Sequence, residues 1–400
     1  MTISPPNHPT VLYVTMSLDV GGTERHLSLI APRLKERGWR PVIFCLWRRG
    51  QLASVLEKAG VEVIGRVSSE KERWVGLRNM PAVAISWLRL ISLVLQRKPQ
   101  IMHFFLPAAY VIGAPVAMSL RVPVKVMSRR SLNIYQNKLL MLRQVERWLH
   151  RHVTAVLGNS KHVVRELIEQ EGCQSDQVGL IYNGADLSAI NSAQRMDVSV
   201  LGIPTDAIIL IMVANLIPYK GHADLLNALG QVAAEMPQPW YLICVGRDQG
   251  YEQQLRDQAE KLGLKENVRF LGERNDVPEL LKTSDIGLLT SHEEGFSNAV
   301  IEGLAAGLPM IVTNVGGNAE AVVSGKTGIV VPPHDPSSLG RAILQLVSNP
   351  QLRSKMADAA RTRAGRDFAI ESCVEKYDRL YHGLLAGQRI GEINGVAIKQ

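Results

Sequence analysis

Two glutamates, Glu294 and Glu302, lie on either side of a turn that can bind an anion. The apolar run at 285–289 predicts a buried parallel strand before this turn, and the composition of 299–306 predicts a helix after it. A strand, turn and helix in this order direct free backbone N–H groups and the positive end of a helix dipole towards a ligand above the sheet. The carboxylates beside that ligand can accept hydrogen bonds from hydroxyl groups. We therefore interpret the stretch as a phosphate site with a sugar on one side and a ribose on the other.

A lysine supplies a second part of this predicted site. Lys220 lies in segment 213–221, between a predicted strand and a predicted helix. The carboxyl end of a strand is the place where open α/β sheets bind ligands. An ammonium group there can place a point charge on a diphosphate. The alternative is a solvated lysine ahead of a helix.

The stretch from Glu294 to Glu302 resembles the Glu-x7-Glu motif of the retaining glycosyltransferases of family four. Segments 307–320 and 325–333, with their ordered glycines and prolines, continue the same pattern. The resemblance implies the α/β fold called GT-B, in which two Rossmann-like domains face each other across a cleft. It also implies transfer of a sugar, with retention at the anomeric carbon, from a nucleotide diphosphate sugar to a glycan or lipid-linked acceptor. The expected donor is a UDP-sugar, and the expected setting is synthesis of cell-surface polysaccharide or glycolipid.

The mechanism implied by the resemblance needs cations and backbone amides that stabilise a leaving diphosphate. The reaction is expected to be front-face, with the leaving phosphate oxygen taking the acceptor's proton and with Lys220 and Glu294 as catalytic residues. A covalent role for Glu294 is the less favoured alternative. No cofactor is implied beyond the nucleotide-sugar co-substrate. The sequence has no Asp-x-Asp motif and no metal-ligand cluster, so it predicts no metal site.

The resemblance also assigns the residues that bind the donor. Glu294 is expected to hold a hydroxyl of the donor sugar and Glu302 the ribose, while the amides after Glu294 contact the phosphate or sugar. Loops 245–248 and 272–277 are expected to hold the nucleotide base. The implied donor-binding residues are Gly21, Gly22, Asn215, Gly246, Arg247, Arg274, Val277, Gly295, Phe296, Ser297, Asn298 and Glu302.

One departure from the family pattern concerns a cation. Asn215 occupies the position at which relatives commonly carry an arginine. One of the two cations that usually face the diphosphate must therefore be missing or come from elsewhere in the chain. The candidates for supplying it are Arg247, Arg274, Arg129 and Arg130.

The predicted first domain departs further from the family. Gly21 and Gly22 resemble the family's glycine loop after the first strand, but segment 127–133 has no histidine where many relatives have one. The candidates for contacting the acceptor or a phosphate are His103, Ser128, Arg129 and Arg130. The alternatives are a structurally satisfied histidine and a solvated pair of arginines.

Predicted strands and helices alternate along the chain, which is typical of parallel sheets covered on both faces. We predict an N-terminal acceptor-binding Rossmann-like domain over residues 1–187 and a C-terminal nucleotide-sugar-binding Rossmann-like domain over 188–370. Residues 188–206 lose apolar periodicity and are predicted to form a linker. A last helix, at about 371–388, is expected to pack back on the first domain, and the tail from residue 387 is predicted to be loose.

The composition is typical of a globular cytoplasmic protein. The 400 residues include 46% apolar and 20% charged side chains, and their number suits two domains. Four widely spaced cysteines indicate a reduced compartment and no metal framework. The polar N-terminus does not resemble a signal peptide, and the apolar stretch at 82–95 is too short to span a bilayer.

The net charge of +8 is concentrated in the first half of the chain. No acidic residue occurs between Glu72 and Glu146, an interval with eleven basic residues. Such asymmetry indicates an anionic partner, and nucleic acid, an anionic membrane and a phosphorylated acceptor are all compatible with it. The amphipathic segment 138–153 can lie at the inner face of a membrane or simply cover the sheet.

Two other classes of function use the same features. A nucleotide-sugar epimerase on this scaffold would need the donor site and no acceptor. A nucleic-acid or anionic-surface binder would use the basic half. The aromatic content is only 5%, and there is no basic motif rich in stacking residues, so we predict no nucleic-acid partner.

Overall fold

The computed structural model describes residues 8–67, 80–132 and 140–398. The chain divides into two compact units, the first formed by Met1–Asn183 with Ile370–Gln400 and the second by Gly184–Ala369. The sequence analysis put the corresponding boundaries at 187 and 370. Both units are α/β, as predicted.

The first unit contains a parallel sheet of seven strands in the order β3-β2-β1-β4-β5-β6-β7. Its strands are β1 Thr10–Ser17, β2 Arg40–Arg48, β3 Glu62–Gly65, β4 Ile101–Phe105, β5 Val124–Arg129, β6 Ala155–Gly158 and β7 Val178–Leu180. Its helices are α1 Gly22–Glu36, α2 Ala53–Lys58, α3 Met80–Arg97, α4 Pro107–Ser119, α5 Leu140–His150, α6 Lys161–Glu169 and, at the far end of the chain, α15 Ile370–Leu385.

Successive side chains of β1 point to opposite faces of this sheet, and both faces are buried. Val11 and Tyr13 point into a core formed with α1 and α15. Leu12 and Val14 point to the opposite face, into a second core formed with α3, α4 and α6. Each strand is therefore almost continuously apolar, which is the pattern that identified these strands in the sequence.

The end of the chain belongs to the first unit. Helix α15 packs against α1, and its Tyr377 and Tyr381 are buried. Residues 387–398 of the tail predicted to be loose are instead ordered, so that prediction is wrong for them. Val396 is fully buried, and its carbonyl accepts a hydrogen bond of 3.0 Å from the Leu180 N–H, which extends the edge of the sheet.

The second unit contains six parallel strands in the order β10-β9-β8-β11-β12-β13. They are β8 Ile208–Val213, β9 Trp240–Val245, β10 Val268–Phe270, β11 Ile286–Leu289, β12 Met310–Thr313 and β13 Gly328–Val331. The helices are α7 Leu187–Ser192, α8 His222–Val232, α9 Glu252–Lys261, α10 Val277–Thr283, α11 Asn298–Ala306, α12 Asn318–Ala321, α13 Pro336–Val347 and α14 Pro350–Asp367.

The predicted linker at 188–206 packs onto this second unit, so the linker prediction is wrong. The segment 188–206 starts within α7, and the Met196 N–H donates to the Thr283 hydroxyl at 2.9 Å.

Short polar residues position the helices as capping rules predict. The Ser160 hydroxyl, for example, accepts from the Val163 N–H at 3.1 Å at the start of α6. None of the helices in the described ranges is both long and apolar enough to span a bilayer.

Candidate active site

The strand order of the second unit reverses between β8 and β11, which pair with each other in the middle of the sheet. Such a reversal leaves a crevice beyond the carboxyl ends of the two strands, because their connections leave in opposite directions. Lys220 follows β8 and Glu294 follows β11. The two residues predicted to be catalytic therefore lie at the same crevice.

Lys220 and Glu294 form an ion pair. The Lys220 Nζ lies 2.5 Å from the Glu294 Oε1, and both side chains are largely buried, at 18% and 11% exposure. The Ser291 hydroxyl donates to the same oxygen at 2.9 Å. The carboxylate thus fixes the direction of the ammonium group, which has three N–H donors. The remaining N–H groups can bind an anion.

The loops that carry this pair are fastened to each other through their backbones. The His292 N–H donates to the Tyr219 carbonyl at 2.7 Å, and the Thr290 hydroxyl donates to the Gly221 carbonyl at 2.9 Å. Gly221 has φ +75°, and a β-carbon there would overlap the Thr290 carbonyl. Only glycine fits this position, because it must be left-handed and must also approach another backbone closely.

A third loop, between β12 and α12, contacts the backbone of the Glu294 loop. Gly316 has φ +49° and lies directly against the Glu294 carbonyl. The Gly317 N–H donates to the Gly295 carbonyl at 2.9 Å, and the Thr313 hydroxyl donates to the Ser291 carbonyl at 2.5 Å. The glycines that carried part of the family resemblance therefore hold the glutamate loop in place.

Helix α11 begins directly after the loop that carries Glu294. Gly295, Phe296 and Ser297 are buried, and the Phe296 ring packs on Phe368 with 5.5 Å between the ring centroids. Among the contacts of the described residues, the Ser297 side chain makes no capping hydrogen bond. The N–H groups in the first turn of a helix have no acceptor within the helix itself, so this end of α11 can bind an anion. The half-buried Glu302 lies about one turn further along the helix.

The two loops predicted to hold the base lie beside β8 and β9. The side-chain carbonyl of Asn215 accepts from the Arg247 N–H at 3.2 Å, so this residue links the two strand ends. Gly246 lies against the Ala214 carbonyl, and its N–H donates to the Gly272 carbonyl at 2.9 Å.

The arginines of these loops are engaged by neighbouring carboxylates. The Nε and Nη2 groups of Arg247 donate to the two carboxylate oxygens of Glu273, at 3.1 and 3.2 Å. Arg274 binds Asp276 in the same way, at 2.8 and 2.5 Å, just before Val277 opens α10. The hydrogen bond with Arg274 lowers the pKa of Asp276, and the same bond raises the pKa of Arg274. Each arginine would have to exchange a carboxylate for a phosphate in order to replace the family's cation.

Two first-unit predictions, His103 and Ser128, are wrong because both residues lie inside the fold. His103 is fully buried on β4, where its Nδ1 hydrogen-bonds with the Tyr381 hydroxyl and its Nε2 with the Ser128 hydroxyl, both at 2.7 Å. Burial lowers the pKa of His103 well below its ordinary value, so the ring is neutral. The satisfied histidine that the sequence analysis gave as the alternative is what the structure contains.

Arg129 is also a structural residue, so its predicted role as a phosphate ligand is wrong. Its guanidinium is 1% exposed and donates to both oxygens of Glu171 at 2.9 Å and to Glu146 at 3.1 Å. His150 hydrogen-bonds with the same Glu171 at 2.9 Å. The network joins β5 to α5 and to the end of α6.

Arg130 lies at the carboxyl edge of the first sheet. Its guanidinium donates to the Asn183 side-chain carbonyl at 2.6 Å. Burial lowers the pKa of Arg130, and the nearby Tyr377 and Glu24 oppose that shift. Burial also raises the pKa of Glu24, which Arg130 opposes. A β-carbon at Gly21 would overlap the Glu24 carboxylate, so the glycine pair Gly21–Gly22 lies beside this cluster at the start of α1.

Sequence reasoning missed several residues of the second-unit site. Ser291 lay inside the predicted stretch without a role, although a hydroxyl three residues before a glutamate could have suggested the contact. Gly316 was noted only as part of a pattern. The Asp224 carboxylate lies beside the imidazoles of His292 and His334. The three residues are far apart in the chain, so the sequence did not indicate that they meet.

Two family models match the chain. Glycosyl transferases group 1 matches residues 194–363, and Glycosyltransferase Family 4 matches residues 20–189. Together these segments cover more than four-fifths of the chain.

Individual proteins of known sequence or structure are also similar. The chain is 30% identical over 192 residues to the N-acetyl-alpha-D-glucosaminyl L-malate synthase of Bacillus anthracis. The aligned segment covers 48% of this chain and 50% of that protein. The chain is thus aligned with only half the length of that relative. It is 27% identical over 401 residues to the D-inositol 3-phosphate glycosyltransferase of Corynebacterium jeikeium, which covers 94% of both proteins. Among solved structures, HepE of Anabaena in complex with UDP and glucose superposes with a TM-score of 0.80 at 23% identity, over 94% of this chain and 100% of that one. The chain belongs to glycosyltransferase family 4, and its two α/β domains have the GT-B fold.

Proposed function

We propose that this protein transfers a sugar from a UDP-sugar to a glycan or lipid-linked acceptor, with retention at the anomeric carbon. The observation that carries the proposal is the Lys220–Glu294 pair at the crevice between β8 and β11, directly before helix α11. A cation and a helix N-terminus at one strand edge form a binding site for a diphosphate. The HepE structure, solved with UDP and glucose, has the same fold.

Each residue of the site then has a specific role. Lys220 keeps one N–H on Glu294 and donates another to the leaving diphosphate. The N–H groups at the start of α11 stabilise the charge that develops on the same phosphate as the glycosidic bond breaks. Glu294 accepts a hydrogen bond from a hydroxyl of the donor sugar, and Glu302 accepts from the ribose. In this mechanism the leaving phosphate oxygen removes the acceptor's proton, and the protein supplies orientation and charge stabilisation. The nucleotide sugar is a co-substrate, and no further cofactor is proposed.

We further propose that the first unit binds the acceptor and contacts an anionic membrane. The exposed face of α5 carries Met141, Val145 and Trp148, at 83%, 41% and 49% exposure, beside the exposed Arg147 and Arg151. An apolar stripe between basic residues suits the surface of an anionic bilayer. The cluster of Arg130 and Glu24 could then bind polar groups of a lipid-linked acceptor. The four cysteines are free and buried, which supports a place on the cytoplasmic side of the membrane.

The test begins with a panel of nucleotide sugars, screened for protection of the protein against heat unfolding. The sugar that protects best is then incubated with the protein alone and with candidate acceptors. Retention of the anomeric configuration in a glycosylated product supports the proposal. Formation of an epimer without acceptor supports the epimerase instead, and no binding of any nucleotide sugar refutes both.

Two substitutions connect that activity to the proposed site. Glu302→Ala should weaken UDP binding about 10- to 100-fold, because hydrogen bonds to a charged group contribute about 1.5–3 kcal/mol. Lys220→Ala should mainly slow transfer. The controls are Glu293→Ala, at an exposed glutamate of the same loop, and Lys265→Ala, at an exposed lysine paired with Glu260. If Glu302→Ala and Lys220→Ala both turn over as the wild type does, the assigned site is incorrect.

A further inference from the structure

Three potential metal ligands converge beside the candidate active site. They are Asp224 in the first turn of α8, His292 in the loop after β11, and His334 in the loop after β13. The Asp224 Oδ2 lies 2.9 Å from the His292 Nε2 and 3.8 Å from the His334 Nδ1. The two imidazole rings are in contact, with 3.8 Å between their centroids.

The spacing of the ligand atoms fits a small divalent ion. All three lie within 4.8 Å of one another. A tetrahedral zinc ion with bonds of about 2.0–2.1 Å keeps its ligand atoms about 3.3 Å apart. The two distances from Asp224 bracket that value, so small side-chain movements are enough to close the site.

The local backbone also favours convergence. His334 has φ +57°, a left-handed conformation that is uncommon for a residue other than glycine. The His334 ring lies against the ring of His292. The side chains of Asp224 and His292 are 23% and 22% exposed, and that of His334 is 66% exposed. An ion could therefore enter from solvent and keep water as its fourth ligand.

We propose that Asp224, His292 and His334 bind a divalent transition-metal ion, for which zinc is the best match. Two imidazole nitrogens and one carboxylate oxygen form a donor set that zinc uses, whereas Mg²⁺ and Ca²⁺ prefer oxygen ligands. The ion would link three loops, including the Glu294 loop and the start of α8 just after Lys220. Its role is to order these loops, and no step of the transfer reaction passes through it. The inference does not depend on the proposed function.

The experiment titrates ZnCl₂ into metal-stripped full-length protein by calorimetry, with MgCl₂ as the control ion. We expect one zinc per chain, an increase in melting temperature, and little response to Mg²⁺. His334→Gly removes a ligand at a position where glycine fits the backbone without strain. This variant should fold as well as the wild type and lose at least tenfold in zinc affinity. Asp224→Asn should lose affinity similarly.

The control variant is His162→Ala, at a half-exposed histidine of α6 whose Nε2 lies 3.7 Å from the Glu166 carboxylate. It should bind zinc as the wild type does. Zinc affinity that is equal in the wild type, His334→Gly and Asp224→Asn would overturn the proposal, as would the absence of zinc binding to the wild type. A loss in His162→Ala that matches the loss in His334→Gly would also overturn it, because binding would then be nonspecific.

Discussion

Replacing Gly316 with alanine tests whether the loop after β12 positions Glu294, for which we propose a role in catalysis. A β-carbon at residue 316 would lie 1.5 Å from the Glu294 carbonyl oxygen, whereas ordinary contact begins at 3.4 Å. Backbone atoms line both sides of this contact, so no side chain can rotate away. The Glu294 loop must therefore move by about 2 Å, the difference between these two distances.

The expected effect on catalysis follows from that displacement. A misplacement of about 1 Å can cost about 100-fold in rate, so Gly316→Ala should lower kcat/KM by about 100-fold or more. The left-handed backbone alone costs about 1–2 kcal/mol of stability when alanine replaces glycine. Gly325→Ala is the matched control: it has φ +78° and no atom within 4 Å of the added β-carbon. It should pay the same backbone cost and keep its activity.

The assay compares the two variants by thermal unfolding and by turnover of the nucleotide sugar that protects the wild type best. We expect the left-handed backbone to destabilise both variants similarly, the displaced loop to destabilise Gly316→Ala further, and the loss of activity to be confined to Gly316→Ala. Activity that falls equally in both variants would refute the positional argument, as would full activity in Gly316→Ala.

Three further predictions concern stability and membrane contact. Arg129→Met leaves Glu146 and Glu171 buried without their cation, which should cost about 3–5 kcal/mol in urea unfolding; a loss below 1 kcal/mol would contradict the buried network. Burial lowers the pKa of His222 to about 4, so the unfolded chain binds more protons between pH 4 and 6.5 and the folded state loses stability as pH falls through that range; at pH 5 the loss is about 2 kcal/mol. His222→Leu should remove that part of the acid sensitivity, and melting curves at pH 5 and 7.5 that shift as in the wild type would argue against it. Trp148→Glu should reduce the fraction of protein that sediments with phosphatidylglycerol vesicles and leave the fraction that sediments with uncharged vesicles unchanged. If the fraction with phosphatidylglycerol vesicles also stays the same, α5 is excluded as the membrane contact.

The fold was largely predictable because its strands are local patterns. A strand buried on both faces is an almost continuous apolar run, and β1, β4 and β8 are all of this kind. Parallel strands also end at a common edge. The positions of Lys220 and Glu294 after predicted strands were therefore enough to predict that they share a site.

The first-unit residues could not be assigned in the same way, because their environment depends on distant parts of the chain. His103 hydrogen-bonds with Tyr381, 278 residues away, and a strand pattern does not show which helix covers its face. Arg129 is neutralised by carboxylates 17 and 42 residues further along. A basic residue at a strand end therefore suggested a ligand where the fold forms an internal ion network.

The carboxyl-terminal tail was mispredicted for a similar reason. Its buried apolar residues, Ile390, Ile393 and Val396, are few and lie among glycines and polar residues, so the segment is too short and too polar to predict a packed element. They are buried because the edge strand β7 and helix α15 offer an apolar surface that is visible only in the folded unit.

Hydrogen–deuterium exchange of the whole protein with and without saturating UDP tests the central claim most directly. A diphosphate held by Lys220 and the start of α11 should slow amide exchange in peptides covering 214–222 and 290–300. Apart from the loops expected to hold the base, at 245–248 and 272–277, and the helix turn with Glu302, the second unit should exchange at an unchanged rate. Protection confined to other segments, or no protection at a UDP concentration that raises the melting temperature, would contradict the account.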